Sequence, residues 1–189
     1  HTSGLGSMGY AVPAAIGVSF EKRMSEDTLY CVEGDGSLHM NIQDIGTLKS
    51  SGQKVCLIIL NNKGYASIRA TQKGYFEGRY FGTGPEGGNS FVEMNKLAKL
   101  FDYRYLPATS AKEIAAAIQE FEINDSCVLL DIKIQKNEFL YPKSSAYFTE
   151  DGKMHSMPLE DMTPLLALDT LKKEMTFELD QASYKARED

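Results

Sequence analysis

The chain reads as an α/β protein of three layers, a mostly parallel sheet with helices on both faces. Three observations carry that reading. Strand-like and helix-like patterns alternate between residues 28 and 134, the order that βαβ units produce. The run from Val55 to Leu60 is apolar at every position, as a strand covered on both faces must be. Two turns, Gly34-Asp35-Gly36 and Asn61-Asn62, directly follow predicted strands, where open α/β sheets bind ligands.

Taken in order, residues 5–23 are small and apolar enough for a buried helix, with Pro13 tolerable near its first turn or at a kink. Residues 28–33 read as a strand. Residues 41–50 set Ile42, Ile45 and Leu48 at helical spacing, and Gly52 stops the helix. After the strand at 55–60, residues 91–101 are helical, 103–106 form a strand, 111–121 a helix and 127–134 a strong final strand. The stretch 74–89 is rich in glycine and aromatics and carries Arg79. It is too long for an idle connection and reads as a functional or partner-facing loop. Beyond residue 135 the alternation stops. Residues 137–164 hold three prolines, 165–177 suit a short helix, and 181–189 read as frayed. The expected organisation is an α/β domain over 1–135 and an irregular extension over 136–189, either a lid or strap across a partner or a plain terminal extension.

Composition excludes several functions. Among 189 residues, 26 acidic side chains outweigh 20 lysines and arginines, and the basic ones are scattered, which argues against a nucleic-acid partner. No apolar run approaches the roughly 20 residues that span a bilayer, and no basic head followed by an apolar stretch marks a signal peptide. Cys31, Cys56 and Cys127 each fall in a predicted buried strand. They read as small apolar fillers, not a disulfide framework or metal cluster, and point to a reducing, cytoplasmic setting.

The chemistry starts at the two turns. Gly36 and Ser37 sit where a strand becomes a helix, so their N–H groups and the Ser37 hydroxyl suit an anion such as a diphosphate. Gly34 and Gly36 permit close approach that a Cβ would block. Asp35 offers a carboxylate, Asn62 an amide oxygen and Gly64 a main-chain carbonyl. Mg²⁺ favours such hard oxygens, taking one or two protein side chains beside phosphate oxygens and water. Either turn alone reads as an ordinary tight turn; matched strand ends join them into one site.

Gly-Asp-Gly, then 24 residues, then Asn-Asn resembles the signature of thiamine-diphosphate-dependent enzymes. The opening His1-Thr2-Ser3-Gly4-Leu5-Gly6-Ser7-Met8-Gly9-Tyr10-Ala11-Val12-Pro13 is similar to the acetolactate-synthase-like branch of that family. The likeness extends to about Pro142 and implies the thiamine-diphosphate-binding fold. It implies that Asp35, Asn62 and the Gly64 carbonyl hold Mg²⁺, and that Gly34, Gly36, Ser37, Tyr65 and Ala66 neighbour the diphosphate. Met8 would wedge beneath the cofactor, with the Gly6 and Met8 backbone meeting its aminopyrimidine. The cofactors implied are thiamine diphosphate and Mg²⁺, and the substrate a small 2-oxo acid, carboligated or decarboxylated.

The resemblance further implies a partner, the pyrimidine-binding domain that carries the activating glutamate, from a longer protein or another subunit, in a homo-oligomer. This chain would then hold no catalytic residue of its own, lack the domain's first strand, and be inactive alone. The alternatives are one subunit of a split decarboxylase and a non-catalytic cofactor-binding module. One departure bears on substrate. Acetolactate synthases usually place a tryptophan where this chain has Thr71, and the smaller residue would open the acceptor pocket to a different acceptor.

Other residues carry weaker signals. Gly4-Leu5-Gly6-Ser7-Met8-Gly9 spells the GxGxxG of dinucleotide-binding folds, with Glu33 as a possible ribose acid, but that motif needs a strand immediately before it. His39 reads as a substrate-facing acid or base or a half-exposed helix residue. Arg69 and Arg79 read as holders of a substrate carboxylate or as surface residues. His1 and His155 lack companions at metal-ligand spacing.

Overall fold

The computed structural model describes residues 1, 4–21, 28–137, 141–149 and 151–187. The chain forms two compact units, residues 1–138 and 139–189.

The first unit is built on a four-stranded parallel sheet in the order β1-β2-β4-β3. Its strands are β1 (Leu29–Gly34), β2 (Val55–Asn61), β3 (Arg104–Ala108) and β4 (Val128–Lys133). The helices are α1 (Ala11–Glu21), α2 (Asp35–Leu38), α3 (Asp44–Ser50), α4 (Ala66–Tyr75), α5 (Met94–Leu100) and α6 (Ala111–Ile123). The predicted three-layer α/β architecture is the one observed.

Alternation along β2 builds both cores. Val55, Leu57 and Ile59 turn to one face and pack with Val12 and Ala15 of α1, Ile45 and Leu48 of α3, and Met94 and Leu97 of α5. Cys56 and Ile58 turn to the other, with Phe121 and Ala117 of α6 and Val128, Leu130 and Ile132 of β4. Leu29↔Val55 and Gly34↔Leu60 bracket the β1–β2 register, so the two strands end side by side. α6 covers only part of its face. Tyr30 meets the Phe121 ring edge-on, yet Tyr30 and Val32 stay 40% and 54% exposed. A groove of about 370 Å³ runs along β1, past Tyr10, Ala14 and Val18.

Several predicted boundaries move. The first helix begins at Ala11, because Gly6 and Gly9 adopt positive φ and keep the preceding stretch in turns; its predicted last two residues, 22 and 23, lie outside the described ones. The predicted helix over 41–50 is a 3₁₀ turn, His39–Asn41, followed by α3. α4 was not predicted: it buries only Arg69 and so shows no apolar stripe. Cys31 and Cys56 are buried, and burial pushes both thiols up to about 12. Among the described residues no helix is long and apolar enough to cross a membrane.

The second unit holds a hairpin of β5 (Ala146–Phe148) and β6 (Met154–Ser156), then α7 (Leu168–Glu174) and α8 (Gln181–Lys185). The reading of 181–189 as frayed is corrected as far as residue 187. Asp180 caps α8, accepting from Ala182 N at 2.8 Å. Arg187 forks onto Asp161, Nη1 to Oδ2 at 2.5 Å and Nη2 to Oδ1 at 2.8 Å, and the Asp161 side chain is 1% exposed. That hydrogen bonding with Arg187 holds the Asp161 carboxyl below the usual aspartate range.

A carboxylate with a depressed folded pKa contributes stability above its unfolded pKa, near 3.9, and loses it as pH falls through the folded value. Asp161→Asn is therefore expected to lower the melting temperature of this unit at pH 6, with the gap to wild type closing at pH 3. A gap unchanged by pH would remove the ionic contribution.

Candidate functional site

Asp35 is the first residue beyond β1, and Asn61 ends β2. Their loop tips meet. Asp35 Oδ2 accepts the Gly64 N–H at 2.8 Å and Oδ1 accepts the Asn62 N–H at 3.3 Å. Asp35 is 1% exposed. Burial pushes its carboxyl above the ordinary aspartate range, while N–H bonds from Asn62, Gly64 and Gly36 act in the opposite direction. Gly36 is required by close approach: a Cβ there would lie 2.5 Å from the Tyr65 ring and 2.7 Å from the Gly64 carbonyl oxygen. That carbonyl is thus brought beside the Asp35 turn.

The Asn61–Gly64 loop is wired from below and from the side. Asn61 Nδ2 donates to Asp131 Oδ1 at 2.9 Å, and Asn61 Oδ1 accepts the Lys63 N–H at 3.1 Å. Asp131 is fully buried and also takes the Tyr105 hydroxyl at 2.8 Å and Lys133 Nζ. Burial, with Asp131 as acceptor, pushes the Tyr105 phenol up to about 12.

From the side comes Arg69, 2% exposed. Its Nη2 donates to the Asn62 carbonyl at 3.1 Å, to Asn62 Oδ1 at 3.2 Å and to the Lys136 carbonyl. Its Nη1 reaches the carbonyls of Thr83 at 2.9 Å and Lys63 at 3.4 Å. Arg69 is therefore neither a surface residue nor a free substrate clamp. Sequence reasoning missed Asp131 and Tyr105 altogether, since nothing near them in the chain announces their partners.

The remaining predicted residues are placed by fewer contacts. Ser37 Oγ accepts the Gly9 N–H at 2.8 Å, tying the glycine-rich opening stretch to the Asp35 turn. Met8, one residue earlier, is 46% exposed, and Gly6 is exposed at φ 62°. Tyr65 donates its N–H to the Thr83 carbonyl at 3.0 Å and meets Phe91 edge-on; Ala66 opens α4.

Glu33 is explained without a ribose, since its carboxylate accepts the Ala11 N–H at 3.0 Å at the start of α1. His39 is fully occupied. Nδ1 lies 2.8 Å from the Asp35 carbonyl and Nε2 accepts the Val92 N–H at 3.0 Å, partners that assign the proton to Nδ1 and leave no nitrogen for substrate. Thr71 is exposed and bonds the Ser67 carbonyl within α4. Arg79 is exposed and bonds the Phe76 carbonyl. His155 stacks on Tyr147 in the second unit.

A cleft of about 350 Å³ opens beside Asp35, lined among others by Asn61, Lys63, Tyr105 and Lys133. The residues fit a diphosphate with a hard cation. Asp35 is a buried carboxylate bonded to main-chain N–H groups, and no cationic side chain hydrogen-bonds it among the described residues. The missing Cβ of Gly36 lets the Gly64 carbonyl close on the Asp35 turn, and the oxygens grouped there are the ligands Mg²⁺ prefers. Among the described residues no three His, Cys, Asp or Glu side chains cluster as a metal site, so the set rests on one carboxylate, one amide and one carbonyl.

The chain is 34% identical over 143 residues to the acetolactate synthase large subunit of Haemophilus influenzae, covering 75% of this chain and 24% of that protein. It is 33% identical to acetolactate synthase of Arthrospira platensis, with 75% and 24% covered. For the acetolactate synthase isozyme 2 large subunit of Escherichia coli the identity is 31%, with 75% and 25% covered. The chain thus spans about a quarter of the length of these relatives.

In fold it is similar to benzoylformate decarboxylase from Polynucleobacter necessarius, at a TM-score of 0.60 and 19% identity, covering 70% of this chain and 24% of the other. Residues 1–132 match the family model of the C-terminal TPP-binding domain of thiamine pyrophosphate enzymes. With 132 of 189 residues inside that match, the chain belongs to the thiamine pyrophosphate enzyme family, as its C-terminal cofactor-binding domain.

Proposed function

We propose that this domain grips the magnesium-bridged diphosphate of thiamine diphosphate for an acetolactate-synthase-like reaction of 2-oxo acids. The observation that carries it is the meeting of the two loop tips, Asp35 bonded to the main chain of both Asn62 and Gly64. Asp35, Asn62 Oδ1 and the Gly64 carbonyl would hold Mg²⁺. Gly34, Gly36, Ser37, Tyr65 and Ala66 would surround the diphosphate, and Gly6 and Met8 would meet the aminopyrimidine. When bound, the cofactor supplies a thiazolium carbon nucleophile toward the carbonyl of a 2-oxo acid.

The chain's own residues bind and orient. The buried Asp35 carboxylate provides negative charge where a dication would sit, and the N–H bonds from Asn62 and Gly64 fix the direction of its oxygens. Asn61, through Asp131, holds the strand end on which Asn62 follows. Both His39 nitrogens are occupied, so this side chain is not free to move a proton on the substrate. In this reading turnover needs a pyrimidine-binding domain, from the same longer protein or a partner subunit, in a cytoplasmic homo-oligomer.

The test is calorimetric titration of the chain with thiamine diphosphate, with and without Mg²⁺. Mg²⁺ is expected to raise the affinity at least tenfold, and Asp35→Ala to abolish that gain. An equal affinity with and without Mg²⁺, or a gain that survives in Asp35→Ala, overturns the reading. The purified chain is expected to show no decarboxylation of pyruvate and no carboligation; measurable turnover would overturn that part alone.

A further inference from the structure

Arg69 is the largest fully buried side chain of the first unit, and no carboxylate bonds it among the described residues. A guanidinium is costly to bury, and desolvation lowers its pKa from the usual arginine value, with Asp35 opposing. Its Nε has no hydrogen-bond partner among the described residues. Such a group would be replaced at little loss by an apolar side chain if it only filled space.

Its four remaining donors go to main-chain carbonyls of three separate segments, 62–63, 83 and 136, and to one side chain, the Asn62 amide oxygen. Donors in a rigid planar fork can set several carbonyls at fixed directions at once, which a lysine ammonium cannot. The amide oxygen has two lone pairs; Arg69 takes one, which fixes which end of the Asn62 amide faces it and leaves the second lone pair. Nη1 also lies against Gly64, where a Cβ would come within 2.8 Å of it.

We propose that Arg69 is the positioning residue of the cation loop: its fork holds Asn62 and Gly64 in the pose that Asp35 meets, and so sets how strongly the site couples a divalent cation to a diphosphate. This rests on the reading given under Proposed function. Arg69 touches neither cation nor cofactor in that arrangement; it acts through Asn62 and the loop.

Two measurements on the whole chain test it, with Arg69→Met and Arg69→Lys compared to wild type and to Asp35→Ala. The first is the ratio of thiamine diphosphate Kd at low and at saturating Mg²⁺. Arg69→Met is expected to lower that ratio about tenfold while the low-Mg²⁺ Kd moves less than about threefold. A general loss of structure would weaken both Kd values together, and that result overturns the proposal. Arg69→Lys keeps the charge and loses the fork, and is expected to fall between; a wild-type ratio for lysine overturns the role of the fork.

The second is amide hydrogen exchange without cofactor. In Arg69→Met the amides of Asn62, Gly64 and Tyr65 are expected to exchange at least tenfold faster while those of β2 and β4 stay protected, and unchanged loop exchange overturns the proposal. The failures are distinguishable. If Asp35→Ala keeps the Mg²⁺ gain, the parent reading falls, whereas loss of the gain in Asp35→Ala with a wild-type ratio and wild-type loop exchange in Arg69→Met removes only the role of Arg69.

Discussion

Gly64→Ala is expected to destabilise the first unit by about 4 kcal/mol and to abolish Mg²⁺-dependent cofactor binding. Two costs combine at this position. Gly64 has φ 138°, backbone that a residue with a Cβ adopts at a strain of about 1–3 kcal/mol. A Cβ there would overlap the Thr83 carbonyl oxygen and lie 3.2 Å from Gly84 Cα. Both neighbours are main chain, so relief requires the Thr83–Gly84 segment to shift, which costs about 1–3 kcal/mol more. That segment also receives Arg69 and the Tyr65 N–H, so the shift spreads into the site. Chemical denaturation gives the stability loss and calorimetry the binding loss. An alanine variant within 1 kcal/mol of wild type would mean that the loop has another conformation of equal energy.

Asp131→Ala is expected to cost about 3 kcal/mol, although no atom of Asp131 belongs to the proposed ligand set. Removing a buried acceptor strands its donors, at roughly 1–3 kcal/mol for each group left without a partner. Here the donors are Asn61 Nδ2, the Tyr105 hydroxyl and Lys133 Nζ. Lys133 is 40% exposed and recovers water, so the cost falls mainly on the other two. Because Asn61 also holds the Lys63 N–H, the same change should loosen the loop and weaken Mg²⁺-linked binding. Urea unfolding checks the first effect and titration the second. Tyr105→Phe, which removes a single donor, is expected to cost about 1 kcal/mol.

Much of this arrangement is written locally in the chain. The run from Val55 onward could only be a strand covered on both sides, and the structure divides its side chains between two cores. The turns at Asp35 and Asn62 were legible as neighbours because each follows a predicted strand. What was not legible depends on pairs far apart in sequence. Asn61 and Asp131 are 70 residues apart, and Arg69 and Lys136 are 67. No spacing rule forecasts such bonds. The helix Ala66–Tyr75 escaped because its buried side is a single arginine, the reverse of an amphipathic stripe. The hairpin Ala146–Ser156 escaped because strands of three residues are too short to show alternation. Arg187 looked like the end of a charged tail, and only the fold brings it to Asp161.

The outer rim of β1 is an unfinished boundary. Among the described residues β1 pairs on one side alone, and a lone rim presents a ladder of peptide groups ready to accept another strand. Tyr30 and Val32 stand beside it in water. Any polypeptide that lies down along that rim gains main-chain bonds and shelters two greasy side chains at once, whichever molecule brings it. Left bare, the rim is where copies of this chain are expected to adhere to one another as the solution is concentrated.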